Sequence, residues 1–445
     1  MTREKLGNLL TYLCLFLLPW QTVWIYGSVI PSPFPAPLRS GFEGQAGEGE
    51  YWKLLIYAVQ ILILIAVLVR WKIKTSDSVK NVLKKGWWFY GAVLFFCIFS
   101  VSPYLSLGFS FHVLSALLLF WLLLDERIEI RKIIWFFVLG LIVPCLLGWW
   151  QVLGGTSPSS TLFGLAERAA SIPGVAVVET IGGRLMRAYG SFSHPNIFGG
   201  FLAVGILMIL GRSTGRAAAR PYGQLRRAAI IRTAILFLLS ATLVVTFSRS
   251  AWLALIVGII SFLVASVISK TKIPRNFLFG LIVASVAIVA SVAIFHSAIF
   301  IRMTATDRLE TKSLVERQTE YQMIGEVIKI NPFIGVGAGA YTVALAEKFP
   351  NHDVWFYQPM HNSILLIFAE LGIVGFLFLM QFLWTIFKEI KPRLNAPQCL
   401  NALMPLIASL IIIALLDHYL WGSWAGLGLV AVVLVVGLKN SLQKF

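Results

Sequence analysis

Arg187, Arg249, Arg317 and His361 are the side chains of this sequence best suited to chemistry. Arginine forks grip phosphate oxygens in pairs and offset the charge that develops on a departing pyrophosphate. Histidine, with an ordinary pKa of about 6.5, takes a proton from a hydroxyl at neutral pH. Together they fit glycosyl transfer from a lipid diphosphate sugar, a donor already activated and in need of no metal or other cofactor. The set works only if the chain delivers all four to one side of a common barrier.

That barrier is a bilayer. Of 445 residues 58% are hydrophobic and 13% charged, and mean hydropathy is +0.82, whereas soluble chains carry about 25% charged residues. Apolar runs near 20 residues, each able to cross about 30 Å of hydrocarbon, recur at roughly 6–26, 53–70, 86–104, 109–124, 133–153, 195–211, 228–247, 251–269, 276–298, 362–385, 399–420 and 423–438. The pattern predicts an all-α polytopic membrane protein of about twelve transmembrane helices, one integral membrane domain over 1–445.

Charge gives the orientation. With the N-terminus inside, the cytoplasmic connections hold Arg70, Lys72, Lys74, Lys80, Lys84, Lys85, Arg127, Arg131, Lys132, Arg212, Arg216, Arg220, Arg226, Arg227, Lys270, Lys272, Arg275, Lys388, Lys391 and Arg393. With Arg3, Lys5, Lys439 and Lys444 these are most of the 37 basic residues, as the positive-inside rule requires. The net charge of +17 is therefore topological, and nucleic acid is not an expected partner; membrane lipid is. No A-x-A site follows the first apolar run, which predicts an uncleaved helix. Cys14, Cys97, Cys145 and Cys399 have no paired spacing and suit buried apolar positions.

Three outward loops follow: 27–52, 154–194 and 299–361. The first, with Ser32-Pro-Phe-Pro-Ala-Pro37 and Glu43, Glu48 and Glu50, offers no chemistry. The second ends at Arg187 and His194-Pro-Asn196, where Pro and Asn suit a helix start. Residues 228–269 as a single helix would run roughly 63 Å at about 1.5 Å per residue, so the chain must turn near Ser248–Ser250 and put Arg249 at the outer interface. There it either snorkels to head groups or faces a watery cavity. The third loop predicts an interfacial helix over about 314–329: Ser313-x-x-Glu316 is a capping-box pattern. Leu314, Arg317, Tyr321, Ile324 and Ile328 form its apolar stripe, with Glu316, Glu320 and Lys329 turned elsewhere. An Arg317–Glu320 surface pair is the plain alternative for that arginine. The run Asn331-Pro-Phe-Ile-Gly335-Val-Gly337-Ala-Gly339-Ala-Tyr341 follows a helix and is no dinucleotide fingerprint. His361 and Asn362 stand at the mouth of the next span, where a histidine serves as an anchor or as a base. Glu370 lies about 13 Å further down that helix and needs a partner, and Asp417-His418-Tyr419 closes another span. The six histidines show no metal-binding spacing and the outer face no carboxylate cluster, so no metal is expected.

Arg187-Ala-Tyr-Gly-Ser-Phe-Ser-His-Pro-Asn196, Phe247-Ser-Arg249-Ser, Glu316-Arg317, the glycine-rich run, His361-Asn362-x-x-Leu365 and Glu370-Leu-Gly372 together resemble the O-antigen ligase and polymerase superfamily, over about 187–375. The resemblance implies a metal-independent, inverting glycosyltransferase in the cytoplasmic (inner) membrane, active on the extracytoplasmic face, with an undecaprenyl-diphosphate-linked glycan as donor. It implies that Arg249 and Arg317 hold the diphosphate, with Arg187 beside them, and that His361 activates the acceptor. Asn362, Glu370, Asp417 and His418 would support. The acceptor could be a lipid A core, a growing glycan or a protein hydroxyl. A transporter for a small anion or lipid-linked sugar is the competing class; it predicts inverted repeats, and no clear one is present.

Overall fold

Leucine, isoleucine, valine and phenylalanine runs without internal charge satisfy their backbone in hydrocarbon only as helices or closed barrels. A computed structural model describes residues 2–28, 52–211, 222–304, 308–352, 356–394 and 396–442. Arg212, Arg216, Arg220, Lys444 and the 29–51 part of the first loop, with its prolines and glutamates, lie outside the described residues. Each apolar segment contains helix: Arg3–Leu17, Ala58–Arg70, Asp77–Phe96, Pro103–Leu123, Ile130–Gly140 continuing as Ile142–Gly154, Pro195–Gly211, Tyr222–Val245, Arg249–Ile268, Arg275–Ile294, Ser363–Ile390, Pro397–Leu416 and Trp424–Leu442. Among the described residues eight helices are long and apolar enough to cross a membrane, and Ala58–Arg70, Pro195–Gly211 and Trp424–Asn440 are apolar but shorter. The all-α polytopic class stands, and length alone does not deliver twelve crossings.

Two expected spans, 6–26 and 53–70, are too long at one end. Val23–Ser28 and Lys53–Tyr57 pair as an antiparallel ribbon. Their Val, Ile, Trp and Tyr content suits a strand as well as a helix, and hydropathy does not separate the two. At the basic end of the bundle, Arg70 and Arg127 each reach the buried Asp125 at 2.6 Å, and Lys439 donates to the Asp125 and Ile128 carbonyls. This latch ties the ends of three helices.

The Ser363–Ile390 helix breaks at Gly372, where φ is 60° and ψ −173°. A break in an apolar helix strands backbone groups that lipid cannot satisfy. The glycine-rich run fills the gap: Val336 and Gly337 N–H donate to the Ala369 and Glu370 carbonyls (3.0 and 2.9 Å), and Ile373 and Val374 N–H donate to the Pro332 and Phe333 carbonyls (2.9 and 3.0 Å). A Cβ on Gly335 (φ +73°) would lie 2.3 Å from the Glu370 carbonyl. The run is a backbone wedge, and it explains why glycine is required there. Gly335→Ala is expected to cost about 1–2 kcal/mol for the left-handed backbone alone, and more for the clash. Thermal melting in detergent checks this; an unchanged melting temperature would refute the wedge.

Candidate active site

The helix between the flanking spans runs Arg308–Ile330, six residues earlier than the expected start at 314. Ser313 and Glu316 lie inside it, so they form no capping box. Its buried face is also rotated from the stripe expected from the sequence: Glu320, Met323, Ile324 and Val327 are buried, while Leu314 and Tyr321 are about half exposed, at 49% and 50%. Glu320 sits on the inner face because its partner arrives from another element. Its Oε2 accepts from the His361 backbone N–H at 2.9 Å, and its two oxygens lie 2.9 and 3.0 Å from His361 Nδ1. The alternative Arg317–Glu320 surface pair does not form.

Burial would lower the His361 pKa, but the hydrogen bond and charge of Glu320 prevail and raise it above the ordinary value. The His418 ring packs edge-on at 5.4 Å between centroids, and burial pushes its pKa down to about 4. One histidine is thus held ready to accept a proton and its neighbour is held neutral. Arg317 lies close enough for its charge to lower both values, and its buried Nε has no hydrogen-bond partner.

The predicted turn is present at Thr246–Ser248. Phe247 adopts φ 49°, a conformation that a bulky residue keeps only when its surroundings enforce it. Here two arginines do so. Arg187 Nε donates to the Thr246 carbonyl at 2.8 Å and Arg302 Nε to the Phe247 carbonyl at 2.9 Å, capping the carbonyl end of the Tyr222–Val245 helix. Ser248 caps the next helix by accepting from Ala251 N–H, and Arg249 follows in its first turn, with Nη1 3.5 Å from the Arg302 carbonyl. Arg187 Nη2 also donates to Asn196 Oδ1 (2.7 Å), and Asn196 Nδ2 to Asp417 Oδ2 (2.8 Å). Asp417 Oδ1 accepts from His418 N–H at 3.0 Å, and the Asp417 carbonyl accepts from Ser363 N–H and Oγ–H. A continuous polar chain therefore links the Arg249 turn to the His361 mouth.

Two expected supporting residues have structural duties. Asn362 Oδ1 caps its helix by accepting from Ile364 and Leu365 N–H at 3.0 and 3.1 Å. Glu370 accepts from Gly339 N–H (2.6 Å), Trp421 Nε1–H (2.7 Å) and Tyr341 N–H (3.3 Å), which anchors the wedge. Among the described residues, His361, Asp417 and His418 are the group whose ligand atoms all lie within 4.8 Å of one another. Both Asp417 oxygens and His361 Nδ1 are hydrogen bonded, and the Arg317 charge acts on both histidines.

Residues 234–380 match the O-antigen ligase family. That match covers about a third of the 445 residues. No curated protein matches it. The matched stretch of this O-antigen ligase-like membrane protein includes Arg249, Arg302, Arg317, Glu320, His361 and Glu370, and leaves out Arg187, Asn196, Asp417 and His418. Within it the sequence alone gives no chemical role to Glu320 or Arg302. A signal for Glu320 exists, since three residues past Arg317 is the same helix face. None exists for Arg302, whose role depends on a carbonyl 55 residues away.

Proposed function

We propose that the protein is a metal-independent, inverting glycosyltransferase that moves a glycan from an undecaprenyl-diphosphate-linked donor to an acceptor hydroxyl at the outer face of the inner membrane. The observation that carries this reading is the Glu320–His361 pair beside Arg317. Glu320 holds the proton on Nδ1, which leaves the Nε2 lone pair as base. His361 Nε2 takes the acceptor hydroxyl proton as that oxygen attacks the anomeric carbon. The bond from that carbon to the diphosphate oxygen breaks, and a single displacement inverts the centre. Arg249 and Arg317 offset the charge on the departing lipid diphosphate, while Arg187 braces the turn that presents Arg249. The acceptor is a lipid, a glycan or a protein hydroxyl.

Purified protein in nanodiscs, given undecaprenyl-diphosphate glycan and acceptor in the presence of chelator, is expected to release undecaprenyl diphosphate and form one inverted glycosidic product. Movement of intact donor across vesicles without bond cleavage would instead mark a transporter and overturn the reading.

A further inference from the structure

The two halves of the candidate site stand on different helices. Arg249 opens the Arg249–Ile268 helix, and His361 lies just ahead of the Ser363–Ile390 helix. A single displacement needs the diphosphate grip and the base at opposite ends of one line of attack. A misplacement of about 1 Å can cost about 10²-fold in rate. Between the two halves, buried, Asn196 meets Asp417.

Asp417 stands where the Pro397–Leu416 helix ends and the chain becomes extended, at φ −151° and ψ 158°. Its carbonyl accepts from Ser363 N–H at 3.1 Å and from Ser363 Oγ–H at 2.7 Å. Ser363 is the first residue of its own helix, so a first-turn N–H that has no partner within that helix finds one on another. This arm ties Asp417 to the chain two residues past His361. The carboxylate is the other arm: Oδ1 accepts from His418 N–H and Oδ2 from Asn196 Nδ2.

Asn196 is the second residue of the Pro195–Gly211 helix, and its N–H donates to His194 Nδ1 at 3.1 Å. Its neighbours fix its amide. A guanidinium only donates and a carboxylate only accepts, so Oδ1 faces Arg187 Nη2 and Nδ2 faces Asp417. Arg187 in turn holds the Thr246 carbonyl at the turn before Arg249. Asp417, Arg187 and Asn196 are 2%, 5% and 8% exposed, so water competes little for these bonds.

We propose that Asn196 and Asp417 are positioning residues, whose hydrogen bond clasps the Arg249 turn to the His361 mouth and sets the spacing of diphosphate grip and base. The role in catalysis rests on the glycosyl-transfer reading. Exchange of the two side chains tests it, in nanodiscs with undecaprenyl-diphosphate glycan and acceptor. Rates are taken on the pH plateau, because the Asp417 charge also acts on His361. Asn196→Asp alone sets two carboxylates face to face. Asp417→Asn alone sets donor against donor, or turns its amide and loses the bond from His418 N–H. Each should lower kcat about 10²-fold with little change in donor KM, since Arg249, Arg317 and His361 are all retained. The double variant, Asn196→Asp with Asp417→Asn, rebuilds every bond with the roles reversed. Its carboxylate accepts from Arg187 and from the new amide, and that amide accepts from His418 N–H. It should recover about tenfold or more of the lost kcat, the coupling expected within one hydrogen-bond network.

Residues that served stability alone would shift the melting temperature and leave kcat of the folded protein unchanged. Ser363→Ala trims only the hydroxyl from the other arm and gives a milder variant. Its kcat should fall about threefold to tenfold, the worth of one neutral hydrogen bond. Undiminished kcat in the folded single variants and in Ser363→Ala would overturn the clasp. So would a double variant that melts like the wild type and recovers nothing. Absence of lipid diphosphate release by the wild type would instead sink the transfer reading, and the clasp's role with it.

Discussion

His361→Ala is expected to lower turnover about 10²–10⁴-fold, the usual worth of a positioned general base, with little change in donor affinity. The loss should fall on kcat, because the acceptor hydroxyl meets the Nε2 lone pair only as the new bond forms. The pH profile carries a second signature. Glu320 raises the His361 pKa, and only the deprotonated ring serves as base. The wild-type rate should therefore climb with pH through a midpoint above the ordinary histidine value of about 6.5. Glu320→Gln removes the raising charge and leaves burial, which lowers the pKa, so the rising limb should move to lower pH while the plateau falls. Steady-state rates from pH 5 to 9, a range set by the histidine pKa of about 6.5, decide the matter. Full activity in the alanine variant would eliminate the base role.

Arg317→Lys is expected to cost about 10²-fold in rate, although the charge is preserved. A guanidinium offers two parallel N–H donors to a diphosphate, whereas an ammonium offers a point charge on a flexible stem, and loss of one donor to developing negative charge costs about 10²–10³. A residue that merely touched head groups would tolerate the exchange, so near-wild-type turnover in the lysine variant would refute the clamp. Arg187→Lys should behave differently. Arg187 is spent on the Thr246 carbonyl and Asn196, so its replacement should loosen the turn and lower the melting temperature along with activity.

The sequence by itself determined the membrane class, because a run of apolar residues without charge has few other solutions. It also determined the turn before Arg249, since a continuous helix would be roughly 63 Å long. The placement of His361 and Arg317 on neighbouring elements followed from spacing and from the resemblance. What only the tertiary structure decided is who faces whom. In the sequence Glu320 reads as an acid turned away from the apolar stripe, at most a surface partner of Arg317, until His361 is brought to it across 41 residues. Glu370 turned out to anchor the wedge, and Asn362 to cap its own helix, because backbone N–H groups of the glycine-rich run and of a helix start lay within reach. The ribbon that replaced two span ends escaped hydropathy for a related reason. Composition measures how apolar a segment is, and pairing partners distant in sequence decide whether it becomes strand or helix.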